Sequence, residues 1–203
     1  MAARKKRSAA PSRALMEQAI AHSLKDMRSG RGGPFGAVVA RGAEIVGRGG
    51  NRVLSDSDPT AHAEVVAIRD ACRKLGAAQL EGCVLYTSCE PCPMCLAAAY
   101  WARVDRIVYA NSRSDAAAIG FGDAFIYQEI ALPPGRRKLP MTRFMGREAL
   151  KAFREWDRKK DKTPYGPEIP VSAAAGRKAG RLPPRSRSGT KVKSPTKKPL
   201  RKG

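Results

Sequence analysis

The chain has 203 residues and a formal net charge of +21, a length that suits one ordinary domain with additional segments rather than two full domains. Its odd number of cysteines, five, and a basic start with no apolar stretch behind it argue against a disulfide framework and a secretory signal. The longest uninterrupted apolar run, residues 94–102, is far shorter than the roughly 20 residues of a membrane-spanning helix. These features predict a cytoplasmic protein without membrane contact.

The positive charge is concentrated in the two terminal segments. Residues 1–13 contain five Arg or Lys, residues 171–203 contain eleven, and neither segment contains an acid. The C-terminal segment is rich in Pro, Gly and Ser and has no aromatic residue, so we expect it to be disordered. We therefore predict a basic disordered tail at 1–13, a folded domain at 14–170 and a basic disordered tail at 171–203. The tails suit either greater solubility or weak, non-specific contact with nucleic-acid phosphates.

In chain order, the hydrophobic pattern alternates between helical and strand periods. Helices are predicted from the N-cap Ser12 to Gly30, from the N-cap Thr60 to Gly76, at 92–103 and at 147–160. Strands are predicted at 35–40, 43–49, 83–88 and 106–111. Strands that alternate with helices in this way favour an α/β fold with a layered sheet.

Two short motifs place metal-binding side chains at the starts of predicted helices. His62 and Glu64 lie two residues apart in one motif, and Cys92 and Cys95 lie one turn apart in the other. One imidazole and two thiolates supply three zinc ligands, which is the number that leaves a catalytic zinc one open position. The positive end of a helix dipole also favours thiolate over thiol. We predict His62, Cys92 and Cys95 as zinc ligands, with Glu64 beside the metal but not bound to it.

The pattern H-x-E followed by P-C-x-x-C is the signature of zinc deaminases. In that chemistry zinc activates a water molecule and a glutamate, here Glu64, moves its proton, so the predicted reaction is hydrolytic deamination of an aminated ring. The folded domain at 14–170 is therefore predicted to be a zinc-dependent deaminase domain. By itself, C-x-x-C is also compatible with a redox pair or with buried thiols. A structural zinc in a nucleic-acid-binding protein is the non-enzymatic alternative, although such a site does not require Glu64. Cys72, Cys83 and Cys89 are interpreted as small buried hydrophobic residues.

Four segments resemble one family. They are GGPFGAV (32–38), DPTAHAEV (58–65), LYTSCEPCPMCLAAAYWA (85–102) and DAAAIGFGDAFIYQEI (115–130). Between about residues 14 and 165 the chain is similar to the small bacterial-type guanine deaminases of the cytidine-deaminase-like superfamily. The resemblance implies a three-layer α/β/α sandwich around a mixed sheet of mostly five strands. It also implies a homodimer, one zinc ion per chain and the conversion of guanine to xanthine and ammonia.

The same resemblance suggests roles for individual residues. Asn51 matches a position that hydrogen-bonds the edge of the purine, and Asp123 matches a second acid that helps deliver a proton to the leaving amino group. Phe35 matches a wall of the pocket, and the backbone N–H of Ala63 is placed to face the ligand. Outside the family context, Asn51 is typical of a turn, Asp123 of a helix cap and Phe35 of a core.

The C-terminal part of the resemblance departs from the family pattern at two points. Tyr165 matches a tyrosine that the partner chain contributes to the active site through an exchanged C-terminal segment; alone, it would be an ordinary loop residue. The chain continues beyond it to residue 203, whereas short relatives end near this tyrosine. Gly122 stands where the family often has another acid beside the residue matched by Asp123.

The basic tails favour a second candidate, a tRNA adenosine deaminase, which would use the same zinc site on an RNA substrate. That branch usually lacks both the cysteine before Glu-Pro and the FIYxEI segment that are present here. The tails have no aromatic side chains on which bases could stack. Deamination of cytosine or of a nucleoside is the remaining alternative.

Overall fold

The computed structural model describes residues 10–165, so the predictions for residues 1–9 and 166–203 lie outside the described part of the chain. The domain limits at 14 and 170 stay predictions. The helices are α1 (Arg13–Arg28), α2 (Ala63–Leu75), α3 (Pro93–Trp101), α4 (Arg113–Ala118), α5 (Ala124–Ala131) and α6 (Gly146–Arg158). The strands are β1 (Gly36–Arg41), β2 (Glu44–Gly50), β3 (Cys83–Cys89) and β4 (Arg106–Asn111). No helix within residues 10–165 is long and apolar enough to cross a membrane.

The four strands form one mixed sheet in the order β2-β1-β3-β4. β1 is antiparallel to both of its neighbours, with Val39 opposite Gly47 on one side and Leu85 on the other. β3 and β4 are parallel, because α3 crosses over between them. All four predicted strands are therefore present. The fifth strand implied by the resemblance is not formed by residues 10–165: directly after β4, Ser112 caps α4 through a capping box, which commits the chain to a helix.

Alternation along β1 explains the layers on the two faces of the sheet. Val38 and Ala40 pack with Leu15 and Ala19 of α1 on one face. Ala37 and Val39 point to the opposite face, where the core is completed by α2 and α3. Side chains of successive strand residues point to opposite faces, so a strand buried on both sides must be apolar throughout. The expected α/β fold with three layers, α/β/α, is confirmed.

The starts of α2 and α3 decide where the site lies. The prediction that Thr60 caps α2 is wrong: its hydroxyl donates to Asp58 Oδ1 at 2.7 Å, and the N-cap is His62. Cys92 is likewise the N-cap of α3, immediately before Pro93. Neither His62 nor Cys92 makes a side-chain capping hydrogen bond. Two predicted metal ligands thus stand at helix N-termini with their side chains free for another role.

Gly49 allows α2 to approach the sheet closely. A Cβ atom at this position would lie 2.2 Å from the carbonyl oxygen of Ala63 and 2.5 Å from the amide nitrogen of Ala67. Real Cβ atoms do not tolerate such distances, so only glycine permits this contact. The position of the first turn of α2, which carries the residues next to His62, therefore depends on Gly49.

The segment after β4 is packed differently from the rest of the domain. None of the residues of α4, α5 or α6 is buried, and none of these helices has extensive contact with another described helix or strand. Large apolar side chains stay exposed along it, among them Ile130, Phe144 and Phe153. Exposed apolar surface of this kind is typical of an interface with another chain.

Candidate active site

Three predicted ligands converge at the N-termini of α2 and α3. His62 Nδ1 lies 3.5 Å from Cys92 Sγ and 3.5 Å from Cys95 Sγ, and the three ligand atoms all lie within 4.8 Å of one another. For a tetrahedral zinc ion with ordinary Zn–N and Zn–S bond lengths, the expected N···S separation is about 3.5 Å. The donor set and its spacing fit one zinc ion, with His62 binding through Nδ1.

The electrostatics of these three side chains also favour a cation. The pKa of Cys92 is lowered to about 4, chiefly because the Cys95 thiol donates a hydrogen bond to its sulfur. The same contact is the main reason that the pKa of Cys95 is raised, and burial raises it further. The hydrogen bond with Cys92 raises the pKa of His62. The group therefore holds a sulfur anion together with protons that a divalent cation would displace.

Glu64 lies beside this group without belonging to it. Its side chain is buried, and burial is the main cause that raises the pKa of its carboxyl group. The hydroxyl of Thr87, on β3, donates a hydrogen bond to Glu64 Oε1 at 3.3 Å. A buried carboxyl group held at one oxygen by a hydrogen bond is suited to accept and return a proton.

Sequence reasoning missed Thr87. A usable signal was present, because alternation along β3 places residue 87 on the same face as Leu85, which belongs to the core next to α2. A hydroxyl on that buried face needs a partner, and the acid nearest the start of α2 is Glu64.

A cavity of about 630 Å³ opens beside the ligands His62 and Cys92. Its lining includes His62, Glu64 and Cys92, together with Phe35, Asn51 and Asp123. The remaining lining is largely apolar, and it includes Val53, Leu54, Met94, Phe121 and Ile126. The cavity is large enough for a flat heterocyclic ligand, and Glu90 and Arg113 add two charged side chains to its lining.

Asn51 is buried, and its hydrogen bonds define which way its amide points. Its Oδ1 atom accepts from the backbone N–H groups of Gly33 and Val53, both at 3.2 Å. Because the oxygen faces two donors, the Nδ2 amino group must face the other way. Among residues 10–165 that amino group has no protein partner, so it is a hydrogen-bond donor available to a ligand in the cavity. A Cβ atom on Gly32 would lie 2.1 Å from Asn51 Oδ1, so this close packing requires glycine.

Asp123 occupies the N-cap of α5 but makes no side-chain capping hydrogen bond. Burial raises the pKa of its carboxyl group, while the nearby Arg113 opposes that shift. The carboxyl group is therefore not used to cap the helix, which was its ordinary interpretation.

Phe35 forms part of the cavity wall and also packs at the edge of the core. The ring of Phe121 meets it edge to face, with the two ring centroids 5.0 Å apart. Its packing agrees with the expectation that Phe35 is a core residue. Its position in the cavity wall is compatible with the role suggested by the resemblance. Phe121 was not identified from the sequence.

The last two candidate residues lie farther from the cavity. Ala63 is buried at the first position of α2, where a backbone N–H has no partner within the helix, but it is not among the lining residues. Tyr165 is 70% exposed and does not line the cavity of its own chain. Within one protomer, the structure does not bring Tyr165 to the site.

Cys89 is the third cysteine of the motif, and it is not part of the metal-binding group. Its side chain is buried, lines the cavity and contacts the carbonyl oxygen of Ser112 at 3.6 Å. Burial raises the pKa of its thiol to about 11, so the thiol stays protonated and can donate this hydrogen bond. These contacts agree with the interpretation of Cys89 as a buried residue rather than a ligand.

Comparison with known proteins identifies relatives. Residues 10–111 match the family described as the cytidine and deoxycytidylate deaminase zinc-binding region. The chain is 47% identical to a guanine deaminase of Bacillus subtilis (strain 168) over 150 residues, which are 74% of this chain and 96% of that protein. An X-ray structure of guanine deaminase from Bacillus subtilis superposes with a TM-score of 0.74 at 46% identity, covering 76% of this chain and 99% of that one. A tRNA-specific adenosine deaminase of Aquifex aeolicus (strain VF5) is 43% identical over 77 residues, 38% of this chain and 51% of that protein.

Proposed function

The chain belongs to the cytidine and deoxycytidylate deaminase family of zinc-dependent hydrolases, and we propose that it converts guanine and water to xanthine and ammonia. The assignment of guanine as the substrate rests on how much of the chain is similar to a guanine deaminase. The likeness to the Bacillus subtilis guanine deaminase covers 74% of the chain, whereas that to the tRNA-specific adenosine deaminase covers 38%. A match over 150 of the 203 residues must run beyond α3 and β4 into the segment that supplies Phe121 and Asp123 to the cavity.

The residues that would hold the metal are His62, Cys92 and Cys95. When bound there, zinc supplies a Lewis acid that makes water a nucleophile near neutral pH. Glu64 accepts a proton from the attacking water through its carboxylate and returns it to the ring. As that proton moves, the oxygen of water forms a bond to C2 of guanine. The second water proton then passes from the new hydroxyl group to the exocyclic nitrogen, the bond between C2 and that nitrogen breaks, and a carbonyl group on C2 and ammonia result.

The cavity wall suits a planar base held at one edge. The free amino group of Asn51 donates to an acceptor on the purine, and the ring of Phe35 offers an apolar face beside it. The backbone N–H of Ala63 has no partner within α2, so we propose it as a second donor to the ligand at the N-terminus of this helix. Asp123 is the proposed second acid, which protonates the leaving amino group. Since Gly122 offers no carboxylate, Asp123 carries that role alone in its loop.

A homodimer is the assembly that the exposed surface favours. The apolar face of α6 is formed by Leu150, Phe153 and Trp156, each three residues apart, and it stays exposed in the single chain. An apolar depression between α3 and β4 is lined by Leu96, Tyr100, Val104 and Ile107, among others. We propose that the C-terminal segments are exchanged, so that α6 covers apolar surface of the other protomer and Tyr165 closes the other protomer's cavity.

The substrate assignment is tested by ammonia release from the zinc-loaded, full-length chain with guanine, guanosine, cytosine, adenine and adenosine-containing tRNA. We expect turnover with guanine and none with tRNA. Glu64→Gln should keep its zinc and lose activity by at least about 100-fold, since general acid–base catalysis contributes about 10²–10⁴-fold. Turnover of tRNA with guanine untouched would refute the guanine assignment and would favour the RNA-directed alternative. A Glu64→Gln variant as active as the parent would favour a purely structural metal site.

The cellular setting is also part of the proposal. A cytoplasmic location suits an enzyme of purine catabolism whose five cysteines include two metal ligands that must stay reduced. Weak contact of the basic tails with nucleic acid stays a prediction for residues outside 10–165.

A further inference from the structure

The position of Asp123 is not secured by core packing. It stands at the start of α5, and no residue of α4 or α5 is buried. Neither helix has extensive contact with α1–α3 or the sheet. A few side-chain contacts must therefore hold this acid at the cavity.

Tyr127 makes the contact that joins α5 to the metal-binding loop. Its hydroxyl donates a hydrogen bond to the carbonyl oxygen of Pro91 at 3.2 Å, and Pro91 precedes the ligand Cys92. The N–H of Tyr127 bonds to the carbonyl oxygen of Asp123, one helical turn earlier. Residues four apart lie on the same face of a helix, so the contact of Tyr127 with Pro91 holds Asp123 at the cavity that Asp123 and Cys92 both line.

Arg113 contacts the ring of Tyr127. Its guanidinium carbon lies 4.4 Å from the centroid of the Tyr127 ring, in cation–π geometry. Its Nε atom lies 3.3 Å from Glu90 Oε1, and its backbone N–H donates to Glu90 Oε2 at 3.2 Å. Glu90 belongs to the same loop as Pro91. The start of α4 and the ring on α5 are thus both attached to the residues that precede Cys92.

We propose that Tyr127, Arg113 and Glu90 form a latch whose role is to position Asp123 for proton delivery. All three act through Asp123, so they are positioning residues. The packing of Phe121 against Phe35 anchors the same segment two residues before Asp123, which leaves the rotation of α5 to the latch. The inference rests on the proposed role of Asp123 in guanine deamination.

The test uses Tyr127→Phe, which removes only the hydroxyl group, alone and combined with Asp123→Asn. We expect Tyr127→Phe to lower kcat about 10-fold with a KM within about twofold of the parent and full zinc content, because a small misplacement of a reacting group is costly. Asp123→Asn should lower kcat further, and the double variant should be no slower than Asp123→Asn alone, since Tyr127 acts through Asp123. Tyr109→Phe, at an exposed position of β4, is the matched control and should behave as the parent.

Hydrogen exchange of residues 112–131 supplies a readout that does not depend on activity. Tyr127→Phe and Arg113→Gln should each accelerate exchange in this segment and leave α2 unchanged. Unchanged exchange in both variants, or a double variant whose losses multiply, would overturn the latch. If Asp123→Asn stays fully active, the proposed role of Asp123 fails, and the exchange experiment still decides whether the latch holds the segment.

Discussion

At the residue scale, the site depends on single side chains, and the fold determines which other residues they contact. Glu64 is buried, and the hydroxyl of Thr87 is its hydrogen-bond donor from the sheet. Cys92 and Cys89 stand three residues apart in one motif, yet only Cys92 joins the metal-binding group. Both the hydrogen bond of Thr87 and the difference between Cys92 and Cys89 can be tested by substitution.

Thr87→Val keeps the shape of the side chain and removes its donor. A hydrogen bond to a charged group contributes about 1.5–3 kcal/mol to stability. Catalysis is affected only to the extent that this bond orients the carboxyl group of Glu64. We expect kcat for guanine to fall about 5- to 10-fold with KM nearly unchanged, as measured by steady-state ammonia release. Thr142→Val, at an exposed position, is the control. A variant with unchanged kcat would show that Glu64 is oriented without this hydroxyl.

Replacing Cys92 and Cys89 one at a time shows which of the two cysteines binds the metal. Cys92→Ser removes one of three ligands and should leave the purified protein with little zinc, because each ligand contributes to a site with only three protein donors. Cys89→Ser keeps a donor for the carbonyl oxygen of Ser112 and should retain about one zinc per chain. Metal content is measured by atomic absorption after dialysis. Zinc retained without Cys92 but lost without Cys89 would contradict the ligand assignment.

At the element scale, the site is built where the N-termini of α2 and α3 come together over one edge of the sheet. The N-cap residues His62 and Cys92 supply two ligands, and Cys95 follows one turn into α3. This arrangement requires α2 to lie unusually close to β2, which Gly49 permits. The close packing of α2 on β2 therefore fixes the position of His62, which immediately precedes the first turn of α2.

Gly49→Ala should disturb stability and metal binding together. The new methyl group would clash with the carbonyl oxygen of Ala63, and overpacking of this kind typically costs about 1–3 kcal/mol. We expect a lower melting temperature and weaker zinc retention, because the displaced turn carries His62. Gly135→Ala, where a methyl group would meet open space, is the matched control. Equal melting temperatures for the two variants would show that α2 can shift at no cost.

At the scale of the whole molecule, the single chain leaves a large apolar surface uncovered. The helices after β4 bury none of their residues, and Phe153 and Phe144 are 74% and 82% exposed. Apolar patches of this kind usually mark an interface. The proposed exchange of C-terminal segments covers the face of α6 and brings Tyr165 to a cavity that lacks it within one chain.

Phe153→Glu tests that assembly. A charge at the centre of the apolar face of α6 would have to be buried without a partner, so the dimer should dissociate to monomers. Sedimentation velocity of the full-length chain measures the change, and Lys151→Glu, on the polar side of the same helix, should stay dimeric. A monomeric parent protein would refute the exchanged dimer directly.

Features that depend on local spacing could be predicted from the amino-acid sequence alone. The four strands, the α/β class, the N-cap Ser12, the C-cap Gly76 and the metal-binding set His62, Cys92 and Cys95 were all predictable, because periodicity and ligand spacing act over one or two turns. Only the tertiary structure showed that α2 begins after His62 rather than Thr60, since the hydroxyl of Thr60 bonds to Asp58. It also brought Thr87 to Glu64 and Tyr127 to Pro91, 23 and 36 residues apart. Alternation along β3 could indicate that Thr87 is buried, but which residues meet across such a separation depends on how the layers pack.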